Sequence, residues 1–184
     1  QPKLGSRVSL VSIVVRPTFA QIDLEILKAN YLAVHEFVGR LPDGSNDQTP
    51  PDVIAVIKAN AYGHGAVQIA RALEQADLGE ADLPLILACA DIEEGLELRR
   101  AGVNVSILVF GALSVSDVAG IFDYHLTPTV SSPSAAKVLG EAAAARSTCL
   151  GVHLKIDTGM NRFGFRYDNL RETLPAVLDS NYLS

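Results

Sequence analysis

The chain alternates short apolar runs with amphipathic stretches over most of its length. Each run of five to eight residues is apolar on both faces, and each precedes nine to thirteen residues whose apolar positions recur three and four apart. The runs predict strands at 53–57, 84–90, 103–110, 126–130 and 151–156. The amphipathic stretches predict helices at 64–76, 92–101, 114–122, 134–146 and 169–178. Strands buried on both faces that alternate with helices indicate a parallel sheet covered by helices.

Further elements are predicted before these units. Residues 17–23 form an expected short strand, and residues 24–38 carry the apolar spacing of a helix that Asp23 would cap. Residues 39–52, rich in Gly, Pro and Asp, predict a loop. Residues 1–16 form an expected tail, whose apolar part is too short for a membrane span and lacks a signal-peptide cleavage site.

An open doubly wound sheet and a closed eight-stranded barrel both fit this alternation. No G-x-G-x-x-G turn follows the strand at 53–57, where the glycines are Gly63 and Gly65, so the barrel is favoured. A complete barrel takes roughly 250 residues. We therefore expect an α/β fold of the (β/α)8 TIM-barrel type, present only in part, with about five βα units over 17–184. The strands that are missing would leave unpaired apolar edges.

Composition and charge limit the partners of the chain. Its 184 residues are 48% hydrophobic and 20% charged, which is typical of a globular domain. A net charge of -6 with scattered Lys and Arg argues against a nucleic-acid surface. No apolar stretch approaches the length of about 18 residues that a membrane span needs. We therefore expect no nucleic-acid or membrane partner, and a cytoplasmic location.

The sequence predicts no metal site and no disulfide. Cys89 and Cys149 lie far apart, each inside or beside an apolar run, so we expect reduced, buried thiols. The four histidines lack the paired spacing of metal ligands. Neither a G-x-S-x-G nor a G-x-x-x-x-G-K-[ST] motif occurs, which argues against a serine hydrolase and a P-loop protein.

The most informative stretch is VIAVIKANAYGHG at 53–65, an apolar strand that ends in Lys58 and runs into a glycine-rich turn. A barrel keeps its active site at the carboxyl ends of its strands. An amine at the rim of an apolar pocket is partly desolvated, which frees its lone pair to form an imine with an aldehyde such as pyridoxal phosphate. From the residues alone, Lys58 could equally extend into water, and Tyr62 and the glycines also fit a plain turn.

Polar residues also lie at the end of the strand at 151–156, within the segment GVHLKIDTGMNRFGF at 151–165. Asp157 and Arg162 would lie on the same rim as Lys58. Lys155 and Asp157 point the same way along a strand, either into the barrel or towards the helices. An inward Lys155 needs an anion or a modification that removes its charge, whereas an outward one could pair with Asp157.

These stretches resemble the alanine racemases in three places and in the same order. The opening PTFAQIDL at 17–24 looks like the family's first segment, with Gln21 where an acidic residue is usual. The segment AVIKANAYGHG at 55–65 matches the family's cofactor-attachment motif throughout, and KIDTGMNRFG at 155–164 matches a second family motif. Two contiguous motifs in the right order make a chance match negligible, and the resemblance spans 17–184.

The resemblance implies roles for four residues. Lys58 would bind pyridoxal 5'-phosphate covalently and act as the base on the D-alanine face. Tyr62 would hydrogen-bond the cofactor phosphate, and Arg162 would contact the cofactor's phenolic oxygen and the substrate carboxylate. Lys155 would be the lysine that family members often carbamylate, which gives an anion able to orient Arg162.

The family's reaction needs two bases, because a proton leaves Cα on one face and returns on the other. The family's second base is a tyrosine from a C-terminal β domain of the partner subunit. We expect that domain, and the arginine that faces the pyridine nitrogen, to be absent from this chain. The resemblance therefore implies a homodimeric full-length isomerase that interconverts L- and D-alanine for the cell wall, and a fragment, residues 1–184, that does not racemise alanine alone.

Two other functions stay open from the sequence. A related family of small single-domain barrels binds pyridoxal phosphate by a similar lysine without known turnover, although Lys155, Arg162 and the YGHG turn match the racemases instead. A racemase of the same fold that acts on serine or another amino acid is the second, because the residues that set pocket size lie largely outside this chain.

Overall fold

The fold is described from a computed structural model over residues 19–39, 52–76, 85–111 and 118–184. Within these ranges the strands are β1 (Ile54–Val56), β2 (Ile86–Cys89), β3 (Ser106–Val109), β4 (Thr127–Val130), β5 (His153–Leu154), β6 (Ile156–Asp157) and β7 (Phe165–Arg166). The helices are α1 (Leu24–Gly39), the helical turn α2 (Lys58–Gly63), α3 (Ala66–Glu74), α4 (Ile92–Arg100), α5 (Val118–Asp123), α6 (Pro133–Ala145), α7 (Leu170–Thr173) and α8 (Pro175–Leu178).

Strands β1 to β5 form one parallel sheet in chain order, β1-β2-β3-β4-β5. Each strand pairs with the next, and helices lie between them in the chain, as in consecutive βα units. A doubly wound sheet would reverse its strand order at a switch point, which this sheet does not do. The expected α/β fold is confirmed, and the sheet is part of a TIM-type barrel wall.

The two faces of this sheet differ in burial. One face packs under the helices, and its side chains are fully buried: Leu87, Cys89, Ile107, Val109 and Val130. Helix α4 covers this face so closely that a Cβ at Gly95 would lie 3.6 Å from Sγ of Cys89. The opposite face is exposed at the edge strand β1, where Ile54 and Val56 are 38% and 41% exposed, and buried at Ala88 and Leu108 of the next strands. We call this second face the open face, after its exposure at β1.

Helix α1 begins where the sequence predicts. The Asp23 carboxylate accepts the N–H groups of Glu25 and Ile26 at 3.0 Å each, so the predicted N-cap is confirmed. These bonds satisfy amides that a helix leaves without partners in its first turn.

The predicted strand at 17–23 is wrong for its described part, residues 19–23. This segment pairs with no strand of the described chain, and Phe19 is 78% exposed, so neither backbone pairing nor burial supports an extended ladder. Residues 17 and 18, the expected tail 1–16 and most of the predicted loop at 39–52 lie outside the described residues.

Other boundaries shift for local reasons. The strand at 151–156 divides at Lys155, because β5 pairs with β4 whereas β6 pairs with β7. The helix at 169–178 is a 3-10 turn followed by α7 and α8, since Pro175 has no N–H and begins a new helix. The helix predicted from 114 is described from Val118 onward.

Both cysteines carry free thiols. Cys89 is buried as expected, but the expected burial of Cys149 is wrong. Cys149 lies in the exposed turn after α6, where the chain reverses towards β5 before the next apolar run begins. Within the described ranges, no helix combines the length and the hydropathy that a membrane crossing requires.

Candidate active site

Strand β1 delivers Lys58 to the open face at the carboxyl edge of the sheet. Val56 pairs with Ala88, and Ala88 pairs with Leu108. Residues paired across parallel strands point to the same face, and so do residues two apart on one strand. Lys58 and Phe110, each two residues further along, therefore lie together on the open face.

The amine of Lys58 lies near two aromatic rings. Its Nζ is 5.5 Å from the centroid of Phe110 and 5.9 Å from the centroid of Tyr62. Both distances are within cation–π range. Lys58 is half-buried and Tyr62 is 59% exposed, so the amine is held by rings yet stays accessible from outside. A primary amine in this setting can attack an aldehyde carried on a flat ring.

The chain turns left-handed directly after Lys58. Residues 59–62 have φ between 51° and 55°. Each such residue costs about 1–2 kcal/mol when it is not glycine, so the turn persists only because other bonds hold it. The Asn60 carbonyl accepts the N–H of Gly65 at 3.0 Å, and its side-chain oxygen accepts the N–H of Ala66 at 2.8 Å. This turn also explains why α3 begins later than the predicted helix at 64–76.

The Glu94 carboxylate joins two strand ends. Its Oε1 accepts the N–H of Ala59 at 2.6 Å, and its Oε2 accepts the N–H of Ala90 at 2.8 Å. The Glu94 N–H donates in turn to the carboxylate of Asp91, the N-cap of α4, at 2.9 Å. One side chain of α4 thus bonds the residue after Lys58 to the residue after β2.

Thr129 lies at the same level of the open face as Lys58 and Phe110. Thr127 pairs with Leu108, so Thr129 is level with Phe110. The Thr129 side chain is 5% exposed, and its hydroxyl has no hydrogen-bond partner among the residues described. Buried hydroxyl groups are nearly always bonded. An unpartnered one at this level is the kind of group that a bound ligand can satisfy.

Lys155 also belongs to the open face. Thr129 pairs with His153, and Lys155 follows two residues later on the same side of the strand. The Lys155 amine donates to the carbonyl of Ile156 at 3.4 Å. In the described structure it forms no salt bridge with Asp157, although its charge helps to lower the pKa of that carboxyl. Lys155 is half-buried.

Asp157 anchors the loop that follows β6. Its Oδ1 accepts the N–H groups of Gly159 and Asn161 at 3.0 Å each. These backbone N–H groups stabilise the ionised carboxylate and hold the pKa of Asp157 below its ordinary value. Asp157 therefore fixes the shape of the loop rather than offering a free carboxylate.

Arg162 is exposed in the same loop, with its guanidinium carbon 5.7 Å from the ring centroid of Phe163. The loop is closed by the pairing of β6 with β7. Gly164 permits this approach, because a Cβ there would lie 2.9 Å from the nitrogen of Asp157 and 3.0 Å from the oxygen of Lys155. Its φ of 129° also favours glycine.

The structure brings part of the predicted site together. Lys58 and Tyr62 are neighbours, as their spacing in the turn requires. Lys155 directly follows β5 of the five-stranded sheet, so it lies at the same edge as Lys58, whereas Arg162 lies in the loop between β6 and β7 of a separate two-stranded sheet. Over the described ranges, neither of them forms a hydrogen bond or an ion pair with Lys58.

The sequence reasoning missed three residues of this site: Phe110, Thr129 and Glu94. A local signal for Glu94 was present, since Asp91 and Glu94 have the spacing of a capping box. Phe110 and Thr129 carry no such signal, because only the register of neighbouring strands brings them level with Lys58.

An apolar cleft of about 350 Å³ opens beside β1, between α1 and α3. Leu27, Tyr31, Ile57, Ile69 and Leu73 are among its lining residues. Val56 and Tyr62 also line it, so the cleft adjoins the candidate site, but Lys58 is not among its lining residues. The walls of the cleft offer few polar groups, whereas the amine of Lys58 lies on the open face.

Comparison with known proteins gives a consistent result. The family described as "Alanine racemase, N-terminal domain" matches residues 22–184. The chain is 39% identical to an alanine racemase of Halothermothrix orenii over 171 residues, which cover 93% of the chain and 40% of the relative. It is 38% identical to the alanine racemase of Desulforamulus reducens over 152 residues, which cover 83% of the chain and 37% of that relative. The chain thus spans about two fifths of the length of these relatives.

Solved structures agree with the sequence comparison. Alanine racemase from D-cycloserine-producing Streptomyces lavendulae superimposes with a TM-score of 0.72 at 29% identity, over 89% of this chain and 39% of the other. Alanine racemase of Clostridium difficile 630 in complex with cycloserine superimposes with a TM-score of 0.69 at 28% identity, over 86% of this chain and 40% of the other.

Proposed function

Since the chain belongs to the family of alanine racemase N-terminal domains, we propose that it supplies the cofactor-binding part of a pyridoxal-phosphate-dependent racemase that interconverts L- and D-alanine. The observation that carries this proposal is the placement of the Lys58 amine on the open face, near the rings of Phe110 and Tyr62. The chain covers about 40% of the relative from Halothermothrix orenii, so the activity of the whole protein is part of the proposal.

The residues present fit this cofactor. An aldehyde needs a primary amine, which Lys58 offers, and a flat pyridine ring needs apolar neighbours, which Phe110 offers at the same level. The unpartnered hydroxyl of Thr129 is a hydrogen-bonding group that the open face does not satisfy by itself. Bound pyridoxal phosphate would supply the electron sink that stabilises negative charge at Cα of the amino acid.

Each site residue has a proposed task that its position supports. Lys58 holds the cofactor, and its amine, once released, removes or returns the Cα proton on the D-alanine face. The exposed hydroxyl of Tyr62 donates a hydrogen bond to the phosphate. Arg162 contacts the phenolic oxygen and the substrate carboxylate, for which a guanidinium is suited as a two-pronged donor.

Lys155 is proposed to carry a carbamate. The ammonium first loses one proton, and the neutral amine then joins carbon dioxide and releases a second, so a cation is replaced by an anion. The support is that Lys155 is half-buried and bonded only to a backbone carbonyl at 3.4 Å, in the described part of the chain. Partial burial of a cation that forms no salt bridge is costly, and the carbamate removes that cost while giving Arg162 an acceptor.

The second base is proposed to be a tyrosine of the partner subunit, in a homodimer of the full-length protein. Racemisation needs a group on the opposite face of Cα from Lys58, and the proposed site offers none there from the described residues. Residues 1–184 alone are therefore proposed not to racemise alanine. A cytoplasmic location is part of the proposal, because both cysteines are free, as thiols are in a reducing compartment.

The test is an absorbance spectrum of the purified chain with pyridoxal phosphate, before and after borohydride, followed by peptide mapping. We expect a band near the visible edge that borohydride converts to a stable adduct on Lys58, and no such adduct at that position in Lys58→Arg. A soluble, folded chain that carries no adduct at position 58 would contradict the proposal. An adduct without turnover in the full-length protein would instead favour a cofactor carrier.

A further inference from the structure

We propose that Glu94 is a positioning residue for Lys58, a proposal that rests on the function of Lys58 given above. The Glu94 carboxylate bonds the N–H of Ala59 at 2.6 Å and the N–H of Ala90 at 2.8 Å. Ala59 directly follows Lys58, so the backbone next to the reactive amine is fixed by a side chain from α4. Glu94 itself does not touch the amine.

The turn that follows Lys58 makes such a fixing bond necessary. Residues 59–62 are all left-handed, and non-glycine residues leave this conformation readily unless bonds around them hold it. At its far end, Asn60 bonds Gly65 and Ala66. At its near end, the N–H of Ala59 bonds only Glu94 among the described residues. The N–H of Ala61 also bonds the carbonyl of Ile57 at 2.8 Å, so loss of the Glu94 bond loosens the turn where it meets Lys58 without releasing it.

Hydrogen bonds to an ionised carboxylate are stronger than those to a neutral acceptor, which suits a residue that holds a strained turn. The carboxylate is itself directed by its own helix, because the Glu94 N–H donates to the Asp91 carboxylate in the first turn of α4. In an ordinary capping box this glutamate would bond the backbone of the N-cap residue. Here it reaches past Asp91 to Ala90 and across to Ala59.

The matched variants are Glu94→Gln and Glu93→Gln. Both remove one negative charge from the first turn of α4, so they weaken the favourable interaction with the helix dipole equally. Glu93 is exposed and makes no hydrogen bond or ion pair in the described structure. Both variants replace one carboxylate oxygen by an amide nitrogen that cannot accept a hydrogen bond, but only in Glu94 do these oxygens accept backbone N–H groups.

The first measurement is borohydride trapping of pyridoxal phosphate at limiting reaction time, with peptide mapping of Lys58 and of Lys137. The Lys137 side chain is 74% exposed and serves as the internal reference for a surface amine. We expect Glu94→Gln to lower the ratio of Lys58 to Lys137 adduct by about tenfold, since a hydrogen bond to a charged group is lost. Glu93→Gln should leave the ratio unchanged.

The second measurement needs no cofactor. It is amide hydrogen exchange at Ala59 and Ala90, with Ala70 in α3, which is 0% exposed, as the reference. Gln keeps one acceptor oxygen, so we expect Glu94→Gln to speed exchange about tenfold at Ala59 or at Ala90, whichever loses its acceptor, and to leave Ala70 unchanged. General destabilisation of the fold would instead speed exchange at all three and would overturn the positioning role.

The outcomes distinguish the positioning role of Glu94 from the cofactor-binding role of Lys58. If the unmodified chain forms no adduct on Lys58, both proposals fail together. If it forms the adduct and Glu94→Gln forms it at the same ratio, the cofactor function stands and the positioning role of Glu94 is wrong. Unchanged exchange at Ala59 and Ala90 in Glu94→Gln would likewise overturn the positioning role alone.

Discussion

The amine of Lys58 lies 5.5 Å from the ring centroid of Phe110, although one residue follows β1 and the other follows β3. Their contact comes from strand register, which places them at one level of the open face. Phe110 therefore forms a wall beside the proposed cofactor lysine, in a position that no motif in the sequence marks.

Phe110→Ala is expected to weaken binding of pyridoxal phosphate to the chain about tenfold, because the cofactor ring and the amine lose an aromatic neighbour. The measurement is an absorbance titration with the cofactor, followed by borohydride trapping at Lys58. Phe37→Ala is the control, since Phe37 in α1 is 76% exposed. Equal affinity in both variants would show that the Phe110 ring does not contact the cofactor.

Gly164→Ala is expected to destabilise the pairing of β6 with β7 and to displace Arg162. The new Cβ would lie 2.9 Å from the nitrogen of Asp157, which is backbone and cannot move aside cheaply. The clash and the strain of a φ of 129° should together lower the free energy of unfolding by about 1–3 kcal/mol, as measured by urea denaturation.

Gly159→Ala is the matched control for that change. Gly159 lies in the same loop with φ 137°, but a Cβ there would have no atom within 4 Å. It shares the backbone strain and lacks the steric clash, so its loss should be clearly smaller. Equal losses would mean that the close approach at Gly164 does not contribute.

Much of the fold follows from the hydrophobic pattern, whereas the detail of the site does not. The five strands at 53–57 to 151–156 are found because apolar runs mark the strands of a sheet, although only β2, β3 and β4 are mostly buried and the outer strands β1 and β5 are largely exposed. The left-handed turn at 59–62 was not predicted, because Ala and Tyr rarely adopt that conformation and Asn alone tolerates it. Bonds of Glu94 and Asn60, together with the backbone bonds of Ala61, hold the turn. Contacts made through register and through a neighbouring helix have no local signature.

Asp157 should make the loop after β6 sensitive to acid. Its pKa is lowered in the folded chain by the N–H groups of Gly159 and Asn161, so its contribution to stability is present above the pKa of an unfolded aspartate. That contribution is lost as the pH falls through the folded value. We expect Asp157→Asn to flatten this part of the pH dependence of the urea midpoint as the pH falls below about 4, the ordinary pKa of an aspartate. Asp179→Asn, outside the loop, should leave it unchanged.

The two thiols should react very differently. Cys89 is buried, and desolvation raises its pKa to about 12, so almost no thiolate forms at pH 8. Cys149 is exposed in the turn after α6. We expect iodoacetamide to alkylate Cys149 in the native chain and Cys89 only after denaturation, as measured by peptide mass spectrometry. Alkylation of Cys89 at the rate of Cys149 would contradict the packing of α4 on β2.

With a single base, the chain should exchange the Cα proton of alanine without inverting the configuration. Lys58 is proposed to act on one face of Cα, so the chain loaded with pyridoxal phosphate should exchange the Cα hydrogen of D-alanine for deuterium in D₂O without inverting it. L-alanine should exchange more slowly, because the proposed site lacks a base on its face. Mass spectrometry with chiral separation measures both, and Lys58→Arg is the control. Inversion of either enantiomer by the chain alone would show that a second base lies within residues 1–184.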